Sequence, residues 1–183
     1  MRPIDPAKAL GVSKQLLGRL ERRIGRLPAS VLVVANSSNA LRGYLSFFGA
    51  LRSAGLPARL CEQIALLVSE INRCEYGIAE HSFFAHTVGV SDSDIVASRQ
   101  ARSSTPRFEA ALGFVQVLLA ARGRVGDAEL LQLREAEFTD GQIVEIIGHT
   151  ALTAFTSYLA NASQLPASSA VPADLRRDTL LAS

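Results

Sequence analysis

A carboxylate, a thiol and an imidazole close together in one chain are the parts of a proton relay that serves sulfur chemistry. Glu62, Cys74 and His81 supply them here, with Cys74 twelve residues after Glu62 and His81 seven after Cys74. They sit in the run Cys61-Glu-Gln-Ile-Ala-Leu-Leu-Val-Ser-Glu-Ile-Asn-Arg-Cys-Glu-Tyr-Gly-Ile-Ala-Glu-His81. Seven residues are two helical turns, so Cys74 and His81 share a face of one helix. A CxxC pair would place its second sulfur at position 77, which is Gly77. A cysteine there would stack one turn from His81 and form a redox pair with Cys74. At a helix start the macrodipole favours thiolate at Cys74.

The same residue types have a plainer reading as a small buried cysteine, a polar histidine at a helix end and a surface glutamate. Spacing alone leaves both open. Cys61 reads as a small buried hydrophobe rather than a second redox sulfur. A Cys61–Cys74 disulfide is not expected, because two consecutive packed helices rarely bring their starts together. His86 lies five residues after His81, about 140° round a helix, so the two make a poor ligand pair. His149, in Glu145-Ile-Ile-Gly-His149, reads as a core or interface histidine. No metal site and no cofactor are expected from this set.

Helical elements must position these groups. Apolar residues at 16, 17, 20 and 24 predict a helix over Ser13 to Ile24. Asn36-Ser-Ser-Asn39 offers N-cap chemistry for a helix through Leu51. Pro57 suits the start of another, running to about Ile71. Asn72-Arg73 interrupts it, and a helix from Cys74 to about Thr87 follows. Ser91-Asp-Ser-Asp94 caps a short helix. Pro106 opens a long one to Ala121, a short helix ends near Glu137, and the capping box at Thr139 and Gln142 opens the last, through about Ala160. No period-2 strand or Asn-Gly hairpin signal is present. The fold expected is all-α with seven or eight helices, as a single domain over residues 1–165. Residues 166–183 are expected to form a weakly ordered tail.

Composition sets outer bounds. The chain of 183 residues carries a net charge of +2 with its basic residues spread out, which gives no electrostatic case for nucleic acid. The N-terminus lacks the apolar core of a secretory signal and no apolar run reads as a membrane span, so a cytoplasmic protein without a membrane partner is expected. Two cysteines do not make a disulfide framework. Mean hydropathy is +0.20, which implies apolar surface in need of cover and predicts a homo-oligomer.

The run Cys61 to His86 resembles the AhpD-like alkylhydroperoxidase branch of the carboxymuconolactone decarboxylase superfamily. Asn72-Arg-Cys74-Glu-Tyr76-Gly77-Ile-Ala-Glu-His81 keeps that branch's markers except the second cysteine. Tyr44 to Leu60, Ser91-Asp-Ser-Asp-Ile95, Arg99 to Ser104, Phe138 to His149 and Ala154 to Asn161 are similar to it as well, so the likeness spans about residues 10 to 165. It implies an AhpD-like helical fold, a dimer, trimer or hexamer, and a thiol peroxidase-type antioxidant activity. Glu62 and His81 would relay protons to Cys74, the only motif sulfur, with an external thiol or dithiol as reductant. Tyr76, Gly77 and His149 are the candidate pocket residues. The second cysteine does not carry over, and the ending Gln164-Leu-Pro-Ala-Ser-Ser lacks the branch's acidic Asp-Phe-Pro. Carboxymuconolactone decarboxylases also lack CxxC, and Arg73-x-Glu75-Tyr76 with His81 resembles their motif. This leaves a non-redox acid–base enzyme acting on a lactone or acid, or an inactive binding relic, as the alternatives.

Overall fold

Ten consecutive residues, Leu60 to Ser69, are all buried. No surface helix has that pattern, so this segment must be wrapped by others. The computed structural model describes residues 1–53 and 55–171 and places it at the centre of an all-α fold. Among the described residues there are nine α-helices and no strand: α1 (Gly11–Ile24), α2 (Ala29–Val34), α3 (Ser38–Arg52), α4 (Ala58–Ile71), α5 (Glu75–Thr87), α6 (Asp92–Ser98), α7 (Pro106–Ala120), α8 (Asp127–Glu135) and α9 (Asp140–Ala162). Helix α4 is enclosed by α5, α6, α7 and α9. Leu60, Ile64, Leu67 and Val68 of α4 pack with Leu112 and Val115 of α7 and Ile143 and Ile146 of α9 in the main core. A second cluster joins Leu17, Val31, Val34 and Leu41 of α1, α2 and α3.

The caps read from sequence hold the starts. Ser37 accepts from the Ala40 N–H, Ser91 from Asp94 and Thr139 from Gln142. The element absent from the sequence reading is α2, whose Ser-Val-Leu-Val-Val run lacks a helical signal. Burial of Val31, Val33 and Val34 overrides that weak preference. Helix α9, with 23 residues, is long and apolar enough by composition to cross a membrane. Here Ile143, Ile146, Leu152 and Ala160 on it are buried.

The first residues of the tail expected from residue 166 lie within the described residues. Residues 167–169 form a 3₁₀ turn packed on α5, and Ala170 is fully buried. Arg26 donates to the Ala170 carbonyl at 2.8 Å while lying over the rings of Phe83 and Phe84. Small side chains at 167–170 allow this close docking. Residues 172–183 of the expected tail lie outside the described residues.

Candidate active site

The sharp corner between α4 and α5 sets the site. Arg73 adopts a left-handed conformation, φ 51°. Its N–H bonds the Glu70 carbonyl at 2.9 Å and the Cys74 N–H bonds Ser69 at 2.8 Å. Those two bonds are a Schellman motif with arginine where glycine is usual. Asn161 of α9 donates to the Asn72 carbonyl at 2.9 Å and pins the corner. Arg73→Gly is expected to raise stability by up to about 1 kcal/mol, by removing left-handed strain from a residue with a Cβ. Chemical denaturation with unchanged slope checks this; destabilisation would mean the arginine side chain matters more than its backbone.

This corner lays α5 antiparallel against α4 and brings Glu62 to His81. The His81 Nδ1–H donates to Glu62 Oε2 at 2.9 Å. The other carboxylate oxygen faces Arg52 Nη1 of α3 at 3.6 Å. Burial opposes charge on His81, but the hydrogen bond to Glu62 and its negative charge win and raise the pKa above the ordinary imidazole value. With Nδ1 committed to Glu62, Nε2 is the nitrogen that can exchange a proton. Next to His81, Glu80 is buried and accepts from the Tyr76 hydroxyl at 2.9 Å. Burial raises its pKa.

A cavity of about 60 Å³ lies between α3, α4, α5 and α9. Glu62, His81, Arg52, Glu80, Cys61 and His149 all contribute to its wall, with Tyr44 and Phe48 among the apolar part. The pair predicted from spacing therefore faces a shared space, together with His149. Gly148 lets α3 and α9 approach closely, since a Cβ there would sit 3.0 Å from Leu51 Cδ2. That contact seats the Gly148–His149 turn of α9 against Leu51 of α3.

Cys74 is placed elsewhere. It is the N-cap of α5 and its Sγ accepts from the Gly77 N–H at 3.3 Å. The side chain is fully buried against Tyr76, Ala160 and Ala170 and does not line the cavity. The helix start was expected to favour thiolate. Burial outweighs the Gly77 N–H and the Ser157 hydroxyl, and the thiol is pushed up instead. Tyr76 and Gly77 also lie outside the cavity wall. Tyr76 is buried with its hydroxyl accepting from the Ser30 N–H at 3.3 Å. Gly77 sits under Ser69, whose Oγ would be 2.6 Å from an added Cβ.

One contact was invisible in the sequence. Cys61 Sγ lies 3.4 Å from His149 Nε2, across 88 residues of chain. The Cys61 thiol is raised to about 12 by burial and by Glu62 beside it, and burial lowers the pKa of His149. Both are neutral at rest. Arg52, the cation of the site, was not anticipated either; on α3 it shows no spacing relation to Glu62. Among the described residues no group of three or more His, Cys, Asp and Glu side chains is arranged to hold a metal ion.

Residues 39–120, covering α3 to α7, match the carboxymuconolactone decarboxylase family. Three solved structures are similar over most of the chain. The AhpD-core, peroxidase-related protein from Ralstonia eutropha is 24% identical, with 88% of each chain covered and a TM-score of 0.77. A peroxidase-related protein from Silicibacter is 19% identical, covering 91% of this chain and 94% of that one, with a TM-score of 0.74. A cysteine-to-alanine variant of the debrominase Bmp8, bound to 2,3,4-tribromopyrrole, is 17% identical, covering 89% and 88%, with a TM-score of 0.73. No curated protein matches the chain at significant similarity.

Proposed function

We propose that this chain, which belongs to the AhpD and carboxymuconolactone decarboxylase superfamily, is a thiol-dependent hydroperoxide-reducing enzyme whose proton carrier is the Glu62–His81 pair. The observation that carries this reading is the 2.9 Å contact between them on the wall of a cavity that also bears a cysteine sulfur. Reduction of a hydroperoxide by a thiol needs a proton for the departing oxygen. An imidazole held charged by a carboxylate supplies it. Arg52 on the same wall adds a positive charge where negative charge develops. The low-molecular-weight thiols of a reducing cytoplasm would return the electrons. The names of the two peroxidase-related neighbours agree with this reading, and a cavity with paired acid–base groups favours an enzyme over a relic.

A second reading rests on Cys74. The motif sulfur is sealed outside the cavity, as it would be in a non-redox enzyme whose Glu62 and His81 act on a small lactone or acid. The two separate in one assay. Hydrogen peroxide consumption with a small thiol as reductant is expected from wild type and not from the cysteine-free Cys61→Ser/Cys74→Ser variant. No consumption by wild type, or equal consumption by the variant, overturns the thiol reading.

We also propose a homo-oligomer built through α9. Val144, Ile147, Ala151, Phe155 and Tyr158 fall at heptad-like spacing and are all exposed, Val144 at 68% and Tyr158 at 62%. Light scattering at micromolar concentration should give a multiple of the chain mass, and Tyr158→Glu should lower it. A monomer mass for wild type contradicts the proposal.

A further inference from the structure

Two cysteines are present, and the cavity takes the one outside the motif. Cys61 is only 9% exposed, yet it lines the cavity beside Glu62, His81 and His149. Cys74 has no exposure and its sulfur is occupied as a helix cap. The Cys61 sulfur and His149 Nε2 approach to 3.4 Å from α4 and α9. A neutral His149 with its proton on Nδ1 is the tautomer that pairs with a thiol donor at Nε2. Nε2 is then the bare nitrogen facing the thiol, and the Cys61 S–H donates to it. A thiol, an imidazole nitrogen as base, and a second imidazole at His81, whose charged form Glu62 favours, all face one space. A volume of about 60 Å³ admits a few water-sized groups. That suits hydrogen peroxide or the peroxy end of a small alkyl hydroperoxide.

We propose that Cys61, with His149 as its general base, is the peroxide-reactive centre of this protein, and that Cys74 is structural. This rests on the hydroperoxide-reducing reading above and names its sulfur. As Cys61 attacks the terminal oxygen of ROOH, the thiol proton passes to His149 Nε2. An S–O bond forms and the O–O bond breaks. The departing RO⁻ takes a proton from His81, leaving ROH and Cys61 sulfenic acid. A low-molecular-weight thiol then condenses with the sulfenic acid, releasing water and forming a mixed disulfide. A second such thiol frees Cys61 and leaves as the small-molecule disulfide. His149 and His81 return to their starting states through solvent exchange.

The base must be neutral to act. Arg52 and Tyr44 from α3, Glu62 from α4, Glu80 and His81 from α5 and Glu145 on α9 are charged or titratable groups around the pair. Burial first, with Arg52 adding to it, lowers the His149 pKa below the ordinary imidazole value against the opposing charge of Glu62. Reaction at Cys61 should therefore weaken as pH falls through a value below the ordinary imidazole range. It should not track a preformed thiolate.

The test is sulfenate trapping with dimedone in the full-length protein, using hydrogen peroxide below one equivalent and mapping the adduct by mass spectrometry. The adduct should fall on Cys61. Cys61→Ser should lose peroxide consumption at least 100-fold, while Cys74→Ser, which keeps a good helix cap, stays within about twofold of wild type. His149→Gln should slow Cys61 oxidation about 100-fold and abolish the acid limb of its pH profile. An adduct on Cys74, or activity lost with Cys74→Ser and kept by Cys61→Ser, overturns the assignment while leaving the hydroperoxide reading intact. No adduct on either cysteine and no peroxide consumption overturns both. Wild-type mapping needs no variant, so a misfolded Cys61→Ser does not decide the matter.

Discussion

Glu62→Gln is expected to slow hydroperoxide turnover by about 10² to 10⁴-fold, the usual range for loss of a positioned acid or base. Glutamine keeps the length of the side chain, and its carbonyl can still accept from the His81 Nδ1–H. What it removes is the negative charge. That charge and its hydrogen bond are what lift the His81 pKa against burial. With the charge gone and the remaining hydrogen bond no longer charge-assisted, burial dominates and imidazolium becomes scarce. Wild-type turnover should fall as pH rises through the raised His81 value, and in Glu62→Gln the fall should begin at lower pH. Stability follows the same sign. A folded-state pKa raised above the unfolded one stabilises fully below the ordinary imidazole value, about 6.5, and the benefit fades as pH rises through the folded value. The stability gap between wild type and Glu62→Gln should shrink across that window. Equal turnover, or an alkaline limb that does not move, would remove the pair from the chemistry.

Gly77→Cys restores the CxxC spacing, but space at the corner is already taken. A Cβ at 77 would lie 2.6 Å from Ser69 Oγ, 3.2 Å from Ser69 Cβ and 3.3 Å from Cys74 Sγ. The last distance suits a disulfide and the first cannot stand without movement. Ser69 Oγ is buried and has no hydrogen-bond partner, so it fills space rather than holding a contact. Gly77→Cys alone should cost about 1–3 kcal/mol as overpacking. Adding Ser69→Ala should recover much of it, a non-additive pair in a double-mutant cycle. The double variant should form a 74–77 disulfide under mild oxidation. Because neither position faces the cavity, it should gain little peroxidase activity. A large gain would show that peroxide reaches the corner and that the cavity is not where the chemistry happens. Equal stability of the single and double variants would mean Ser69 moves freely.

The relay pair was legible because its information is local. A twelve-residue offset and a helix break fix Glu62 and Cys74 on adjoining helices, and two more turns of periodicity reach His81. Helix starts were legible through Ser37, Ser91 and Thr139. Helix ends were less so. Arg73, Ala101, Arg122, Glu137 and Gln164 all take positive φ at helix ends, and each carries the paired Schellman bonds. Without glycine these stops leave no residue signal. The Cys61–His149 contact was hidden for a different reason. It depends on how closely α9 docks, which Gly148 permits against Leu51, and spacing along the chain carries nothing about that. The burial of Cys74 was hidden likewise, since it depends on residues 165–171 folding back over α5. Cap position predicted an activated thiol, and the desolvation brought by that segment reversed it.

Ring-nitrogen NMR titration of the histidines in wild type and Glu62→Gln tests the relay pair most directly. The chain has 3 histidines, so one substitution of each assigns the signals. A working pair predicts that His81 titrates above the ordinary imidazole value in wild type and drops below it in Glu62→Gln. A wild-type His81 that titrates at or below the ordinary value, or one that Glu62→Gln leaves unmoved, contradicts it.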